Sequence, residues 1–546
     1  MFSHPKPRQS DEESWRDSIQ LPRFSFETAK SQRLLDPEDM FHDDDSPREA
    51  EGREKSIHRM LRNDDDDDDE DAEEIVSWDG PNDPEKPLNW SWKKKWLTTI
   101  LMSMFTFISP FSSTMVTPVL QDIGDEFNIS EGFLRQLVMT IFMLGFAQGP
   151  FVLGPLSEVF GRVKVLQLAN CVYLIFNIAC GFAQTQTQML VFRLLSGIGG
   201  SAPQAVRNGV LADIWSKDER GKGQTIYGML AFIGPCVAPI CGAYISQSTS
   251  WRWIFWSTSI FDAIVQILAL FWLSETYEPV LLIRKVNGIK KEEPGRRVRT
   301  EFDSKQRLSK VLRKRLTLPL IMMFTHPAVQ ITSLYRAYLY GLMYFVLSTF
   351  PFVWVDTYEF AKGPASLNYL SLCTGFVIGL LISEKLLDGL YARLKKKHNL
   401  TSGPPEWRVP PMLIGIVLCP LGLLLYGWPA QYRLHFIIPN IGAAILALGL
   451  IISFQCCQAY TVDAYSHHYA ASAAAVSAFT RTMCGFSFPL FAPAMYARLG
   501  LGWGNSLLAF LTMGLAVLCP GVLWVWGKKI RQVSTRGLDV RLLEKD

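Results

Sequence analysis

The sequence predicts an all-α integral membrane protein with twelve transmembrane helices in two six-helix halves. The first observation is composition: 49% of the 546 residues are hydrophobic, and these residues are clustered along the chain. The second is spacing: from Trp96 onward, apolar stretches of about 20 residues recur, and that length crosses about 30 Å of hydrocarbon. The third is a hydrophilic segment, 274–330, that separates the first six stretches from the last six.

Each predicted span is a mainly apolar stretch with few charges, bounded by a more polar connection. The twelve predicted spans are 96–118, 133–156, 163–183, 188–212, 223–246, 252–273, 331–354, 366–386, 410–428, 434–459, 469–496 and 504–526.

Charge divides the chain into an acidic tail and a basic membrane body. Residues 1–92 hold 27 acidic and 12 basic side chains, whereas residues 93–546 hold 24 acidic and 42 basic ones. The tail is too poor in apolar residues to form a core, so we expect it to be a disordered cytoplasmic segment. The predicted organisation is this tail, an N-terminal half, a cytoplasmic central loop, a C-terminal half and a second cytoplasmic tail: 1–92, 93–274, 275–330, 331–527 and 528–546.

The loops on one side of the predicted bundle are basic and those on the other side are not. The even-numbered loops carry groups such as Arg162 with Lys164 and the run Lys395–Lys397, whereas the odd-numbered loops hold few Lys or Arg residues. Because cytoplasmic loops carry the excess of Lys and Arg, we expect both termini in the cytoplasm. The expected location is the cell membrane, with the vacuolar membrane as the alternative.

The loop after the second span, GPLSEVFGRVKV (154–165), places charges and glycines in a very short break. Glu158 and Arg162 stand four residues apart, so they can pair with each other or with a neighbouring helix end. Gly154 permits close approach of helices, and Gly161 permits a tight reversal. On these residues alone, a simple turn and a functional element stay equally open.

A polar stripe runs along the fourth span. In RLLSGIGGSAPQAVRNGVLAD (193–213), polar and small residues recur every three or four positions and share one helical face: Arg193, Gly197, Ser201, Gln204 and Asn208. Such a stripe must face a cavity or a polar partner, and Arg193 needs a counter-charge or water there. Helix packing is the alternative role for the small residues.

The fifth span contains glycines and prolines at close spacing, in GMLAFIGPCVAPICG (228–242). Gly234 and Gly242 thin the helix, while Pro235 and Pro239 each remove an intrahelical hydrogen bond. We therefore expect a bent helix.

The loop between spans two and three resembles a motif of the major facilitator superfamily, G-x-x-x-D-x-x-G-R-x-[RK]. It matches at Gly154, Gly161, Arg162 and Lys164, with Glu158 in place of the aspartate. The resemblance implies a major-facilitator fold, and it implies that these residues form a latch on the cytoplasmic side.

Spans four and five resemble two further motifs of the superfamily. Arg193 begins the pattern R-x-x-x-G, whose arginine is implicated in proton coupling. The fifth span is similar to the antiporter signature G-x-x-x-G-P-x-x-G-[GP] at Gly234, Pro235 and Pro239, although Ala238 replaces a glycine. This resemblance implies export rather than uptake.

Three more stretches resemble fungal twelve-span drug:proton antiporters of the polyamine and multidrug exporter branch. They are WDGPNDPEKPLNW (78–90), LSETYEPVLL (273–282) and the segment 462–491. Within the last, Arg481 is a charge inside the eleventh span, and Asp463 is its expected partner. We therefore assign Asp463 to the latch, and Arg481 with Arg193 to proton coupling.

Uncharged polar and aromatic residues are the candidates for a substrate cavity. They lie on spans four, seven and ten: Gln204, Asn208, Tyr340, Tyr344, Gln455 and Gln458. Aromatic rings with a few polar groups suit a bulky lipophilic or amphipathic molecule. Since spans one, four, five and seven have no acidic residue at their centres, the sequence favours a neutral or weakly charged lipophile over a polyamine.

The sequence thus predicts a proton-coupled exporter of lipophilic drugs, toxins or secondary metabolites that works by alternating access. A proton-coupled importer and a transport-dead membrane receptor or scaffold are the alternatives. An enzyme is disfavoured, because no nucleophile–base pair, phosphate loop or metal-ligand spacing is recognisable. The expected partners are protons, lipid and a small molecule, with no cofactor, metal or nucleic acid, and we expect a monomer.

Overall fold

The computed structural model describes residues 74–129, 132–216, 219–293, 297–302, 308–399, 403–465 and 467–543. The predicted acidic tail up to residue 73 lies outside these residues. The α-helices of the described chain are α1 (Trp92–Thr114), α2 (Leu120–Glu126), α3 (Gly132–Phe160), α4 (Arg162–Gly181), α5 (Gln186–Gly200), α6 (Ala202–Ile214), α7 (Arg220–Ser248), α8 (Arg252–Trp272), α9 (Glu278–Glu292), α10 (Leu308–Thr325), α11 (Pro327–Pro351), α12 (Lys362–Leu367), α13 (Tyr369–His398), α14 (Met412–Gln431), α15 (Ile437–Asp463) and α16 (His467–Leu543). Two short strands accompany them, β1 (Glu74–Val76) and β2 (Val298–Thr300).

Long apolar helices dominate this structure, as the sequence predicts. Within the described residues, ten helical segments are long and apolar enough to cross a membrane. The fourth predicted span is divided at Ser201 into α5 and α6, and the last two predicted spans fall within α16, where Gly500 has a non-helical φ of 70°. The all-α membrane architecture is therefore confirmed, while the number of twelve spans stays a prediction.

The helices form two groups in chain order, on either side of the connector that contains α9 and α10. In the first group α1 packs on α7, α3 on α5 and α4 on α8, while in the second α11 packs on α16 and both α13 and α14 pack on α15. The two groups meet where α3 contacts α16 and where α7 contacts α13. The contact between the halves therefore comes from helices far apart in sequence, and a central site can form between them.

The predicted central loop, 275–330, contains two helices and a strand. Its strand β2 pairs in parallel with β1, which directly precedes the lead-in to the first membrane helix. On α9, the ammonium of Lys285 lies 2.8 Å from the carboxylate of Asp79. Residues 74–92, which the sequence assigns to the disordered tail, are thus held against the connector by backbone pairing and by charge.

Asp83 caps a turn in the lead-in to α1. Its carboxylate accepts backbone N–H groups from Asp79 at 3.0 Å and from Glu85 at 2.8 Å. These two N–H groups hold the pKa of the Asp83 carboxyl below its ordinary value, because they stabilise the charged form. The lead-in therefore has its own local hydrogen-bonding pattern before Trp92.

Candidate functional site

A cavity of about 290 Å³ lies between the two helical groups. Its wall comes from α1, α3, α6 and α7 of the first group and from α11, α13, α15 and α16 of the second. It extends to the end of the bundle where exposed Val462 and Asp463 line it. We call this end the basic face, because the basic even-numbered loops lie there, and we call the other end the acidic face. Concave sites between helical bundles are common positions for small-molecule binding.

Five of the six predicted cavity residues line this cavity: Gln204, Asn208, Tyr340, Gln455 and Gln458. They come from both groups of helices, since two are on α6, one on α11 and two on α15. The rings of Tyr340 and Phe454 lie 6.2 Å apart, nearly parallel, and form an aromatic wall beside the amides. The cavity therefore combines apolar surface with a few polar groups.

Tyr344 separates the cavity from a second pocket and does not line it. Its side chain is fully buried, and its hydroxyl lies 3.0 Å from the hydroxyl of Ser113 on α1, across the two groups. The second pocket, towards the acidic face, is lined by Ser348, one turn further along α11 than Tyr344. The prediction that Tyr344 lines the cavity is corrected because Tyr340 and Tyr344 share a helix face but differ in depth by about 6 Å.

Arg481 lies on the cavity wall and contacts the other group of helices. It donates a hydrogen bond to Oε1 of Gln204, and its guanidinium lies 4.7 Å from the centre of the Tyr340 ring. The partner that the sequence suggested, Asp463, lies instead 2.9 Å from Arg408. The expected Asp463–Arg481 pair is therefore replaced by an Asp463–Arg408 pair, and Asp463 does not join the cluster around the loop of the first half.

Arg193 is fully buried and does not belong to the cavity lining. Its guanidinium donates to four backbone carbonyls at 3.2–3.4 Å, those of Ser112, Ser113, Val138 and Met139. The first two carbonyls belong to the last turn of α1, where C=O groups have no partner within the helix and the helix dipole favours a cation. The polar stripe of the fourth span is thus divided, with its first residue binding a helix end and its last residues facing the cavity.

The charged residues of the loop 154–165 form a cluster at the basic face. Arg162 lies 3.9 Å from Glu158 and 3.6 Å from Asp213, and it donates to the hydroxyl of Ser157 at 3.1 Å. These contacts join α3, α4 and α6, all in the first group of helices. The cluster therefore fixes the arrangement of helices within one half.

Glu275 lies in the stretch LSETYEPVLL, to which the sequence assigned no site residue, and it accepts hydrogen bonds at the start of α4. Its carboxylate accepts the backbone N–H of Arg162 at 2.9 Å and of Val163 at 3.2 Å, along with two N–H groups of its own turn. Gly161 precedes them with a φ of 103°, and a Cβ there would lie 2.4 Å from a carboxylate oxygen of Glu275. Gly161 is therefore required twice, by its backbone conformation and by this contact.

The other two loop residues of the motif are less constrained. A Cβ at Gly154 would meet nothing within 4 Å, so the close helix approach expected there is not found among the described residues. Lys164 is exposed. Within this structure, the contacts of the motif concentrate on Glu158, Gly161 and Arg162.

The second half has an ion-pair cluster of its own at the basic face. Arg408, just before α14, lies 3.1 Å from Asp388 on α13 and 2.9 Å from Asp463 on α15. One guanidinium therefore joins two helices of the second half, as Arg162 joins three of the first.

The glycine and proline motif on α7 lies against α1. Because Pro239 has no N–H, the carbonyl of Pro235 four residues earlier lacks its helical donor, and the hydroxyl of Thr114 donates to it at 3.1 Å. A Cβ at Gly234 would lie 3.0 Å from the carbonyl oxygen of Phe107, and one at Gly242 would lie 2.3 Å from that of Met115. The motif therefore brings the backbones of α1 and α7 close together.

We expect Gly242→Ala to destabilise the protein by about 1–3 kcal/mol, because the new methyl group would overlap the backbone oxygen of Met115. The midpoint of thermal unfolding of the purified protein in detergent measures this loss. Gly514→Ala is the matched control, since a Cβ there would meet nothing within 4 Å. An unchanged midpoint for Gly242→Ala would contradict close packing of α1 on α7.

Four charged residues inside the helices are functional candidates that motif matching misses: Arg207, Asp262, Arg336 and Glu384. Arg207, Arg336 and Glu384 line the cavity, and Asp262 is fully buried. Each stands within a mainly apolar stretch, and that position is itself a signal, because ionisable residues inside a membrane face partners or cavities.

Asp262 lies at the middle of α8, away from the cavity lining. One carboxylate oxygen accepts a hydrogen bond from Asn170 at 2.9 Å, and the other has no hydrogen-bond partner among the described residues. No Lys or Arg of the described chain forms an ion pair with it.

Comparison with known proteins agrees with this architecture. The Major Facilitator Superfamily profile matches residues 102–489. The chain is 42% identical over 460 residues to the efflux pump vrtL of Penicillium aethiopicum, covering 84% of this chain and 91% of that protein. It is 36% identical over 457 residues to the efflux pump radE of Floropilus chiversii, covering 84% and 85%. Its fold is similar to that of the proton:xylose symporter XylE from E. coli, with a TM-score of 0.60, 15% identity and coverage of 80% and 96%. The chain therefore belongs to the major facilitator superfamily of membrane transporters.

Proposed function

We propose that the protein exports lipophilic or amphipathic small molecules from the cytoplasm in exchange for protons. The observation that carries this proposal is the cavity between the halves, whose wall combines amides with aromatic rings and which extends to the basic face. Two relatives that the chain resembles over most of its length are named efflux pumps, which supports export over uptake.

The basic face is cytoplasmic in this proposal. Cytoplasmic loops of membrane proteins carry the excess of Lys and Arg, and such loops lie at the end of the bundle to which the cavity extends. Both termini are then cytoplasmic, the protein lies in the cell membrane and acts as a monomer, and the cavity takes its substrate from the cytoplasm.

Transport proceeds by rocking of the two halves around the central cavity. Contacts between the halves lie on both sides of it. Towards the acidic face, the ammonium of Lys362 lies 2.6 Å from the carboxylate of Asp122, and the hydroxyls of Tyr344 and Ser113 form a hydrogen bond. Towards the basic face, the hydroxyl of Thr225 donates to Glu384 at 2.6 Å. Alternating access requires the contacts towards the acidic face to break as those towards the basic face form, while the Arg162 cluster keeps the first half rigid.

Asp262 carries the proton in this proposal. An ionised carboxylate that is fully buried without a cation is costly, and uptake of a proton removes that cost. Arg193, which the resemblance implicates in coupling, lies in the same half, and Asn170 on α4 donates the hydrogen bond that Asp262 accepts. Protonation of Asp262 would therefore change the packing of α8 against α4, within the half that contains Arg193.

An accumulation assay tests the proposal. Cells that express the protein would be loaded with three naphthalene derivatives, one neutral, one acidic and one basic, with and without a proton uncoupler. We expect lower accumulation of at least one derivative than in cells without the protein, and we expect the uncoupler to abolish the difference.

The two alternatives give different results in the same assay. An importer would raise accumulation, and a receptor or scaffold would leave it unchanged. Deletion of residues 1–72 also distinguishes a transporter from a receptor or scaffold. A transporter should keep its turnover without the tail, whereas a scaffold that signals through the tail should lose its function.

A further inference from the structure

Three arginines from both halves converge on the inner part of the cavity. Arg207 lies on α6 of the first half, while Arg336 on α11 and Arg481 on α16 belong to the second. All three line the cavity, and the guanidinium groups of Arg336 and Arg481 lie against the same aromatic ring, that of Phe454. The cavity wall therefore contains three positive charges, two of them on buried side chains.

The hydrogen-bond partners of these arginines are neutral. Arg336 donates to the hydroxyl of Ser477 at 3.0 Å and to the amide oxygen of Gln458, while Arg481 donates to the amide oxygen of Gln204. In the described chain, none of the three guanidiniums forms an ion pair with a carboxylate. The Nε–H groups of Arg336 and Arg481 are buried without a hydrogen-bond partner among the described residues, and these side chains are only 5% and 8% exposed.

The acidic residues of the cavity wall are engaged elsewhere. Asp388 and Asp463 both pair with Arg408 at the basic face, and Glu384 accepts a hydrogen bond from Thr225 on α7. Asp463 is the last residue of α15, and Glu384 and Asp388 lie in the second half of α13, towards the basic face. The inner cavity is thus positive and its mouth carries the negative groups.

Aromatic rings lie against the same guanidiniums. The ring of Phe454 lies 4.1 Å from the guanidinium of Arg336 and 5.7 Å from that of Arg481, and Tyr340 lies 4.7 Å from Arg481. These contacts stabilise the cations by about 0.5–2 kcal/mol each without neutralising their charge. They also offer flat apolar surface directly beside the charge.

We propose that Arg336, Arg481 and Arg207 bind the acidic group of an amphipathic aromatic substrate. Like charges held close together in a low-dielectric cavity repel one another, and amide oxygens compensate only part of that repulsion. A carboxylate or acidic phenol in the cavity would neutralise this charge, and its aromatic body would contact Phe454 and Tyr340. This inference rests on the proposed function, and it narrows the substrate class that the sequence favours, a neutral or weakly charged lipophile, to an acidic one.

Direct binding to the purified full chain tests this inference, with naphthoate and the neutral naphthamide as probes. By calorimetry at neutral pH, we expect naphthoate to bind at least about tenfold more tightly than naphthamide, as charge-assisted hydrogen bonds require. Arg336→Gln and Arg481→Gln should each remove most of this preference and leave naphthamide binding within about twofold. Arg481→Lys should keep part of it, because the charge remains. Arg433→Gln is the control, since that arginine is 60% exposed and pairs with Glu359 on the surface.

Several results would overturn the inference. Equal affinity of the wild-type protein for both probes, or binding of neither, would show that the arginines do not select an acid. If Arg481→Gln binds neither probe while Arg481→Lys still prefers naphthoate, the inference stands, because the lysine variant keeps the charge in a folded protein. Equal weakening of both probes in Arg481→Gln and Arg481→Lys would assign Arg481 to contact between the halves alone.

This measurement is independent of the direction of transport. If the accumulation assay shows uptake or no transport while naphthoate is still preferred, the proposed export fails and the acid-binding cavity remains. If efflux is found but naphthamide binds as well as naphthoate, only the present inference fails.

Discussion

Asp262→Asn is expected to abolish efflux driven by a pH gradient while the protein still exchanges substrate across the membrane. Asparagine has nearly the shape of a protonated aspartate, and its side-chain oxygen can accept the hydrogen bond that Asn170 donates to Asp262 at 2.9 Å. It cannot release a proton, so coupling is lost without loss of the fold. We expect gradient-driven efflux to fall by at least about fivefold, the lower end of typical coupling between two ligands.

Proteoliposomes measure both quantities on one preparation. Efflux under an imposed pH gradient reports on coupling, and exchange without a gradient reports on the substrate cycle. Asp125→Asn is the control, because that carboxylate is 65% exposed and pairs with Arg135 near the acidic face. If Asp262→Asn transports uphill at the wild-type rate, Asp262 is not the proton carrier.

Glu275→Ala is expected to lower both the stability of the protein and its transport. The carboxylate accepts two backbone N–H groups at the start of α4 and two from its own turn, and alanine would leave these donors buried without an acceptor. Hydrogen bonds to a charged group contribute about 1.5–3 kcal/mol each, so we expect a loss of at least about 3 kcal/mol in the free energy of unfolding. The adjacent Arg162 cluster would be displaced with the start of α4.

Thermal unfolding of the purified variant, with efflux at a permissive temperature, checks this expectation. Glu359→Ala is the matched control, because Glu359 belongs to a surface pair with Arg433 and is 72% exposed. Exposed pairs of this kind contribute about 0–1 kcal/mol. A Glu275→Ala protein as stable as the Glu359→Ala protein would show that α4 does not depend on this acceptor.

Much of the architecture could be read from the chain before any tertiary contact was known. Apolar stretches of membrane length predicted the all-α membrane fold, and three local motifs predicted the superfamily. These predictions depend on residues close together in sequence, such as the paired prolines of α7 and the reversal at Gly161. Residue type also suggested six candidates for a substrate cavity, and five of them line the cavity between the halves, because uncharged polar and aromatic side chains inside apolar stretches are typical of such a wall.

Tertiary structure alone decided which charges distant in sequence meet. Spacing placed Arg193 and Gln204 on one helical face, yet the first binds the carbonyl end of α1 and the second lines the cavity. Asp463 pairs with Arg408, and Glu275 accepts hydrogen bonds from the start of α4, which is more than a hundred residues away in sequence. A buried charge requires a partner, but its own neighbours in sequence do not identify that partner, because packing of distant helices brings the two together. For the same physical reason the three cavity arginines become a single site only once both halves are assembled.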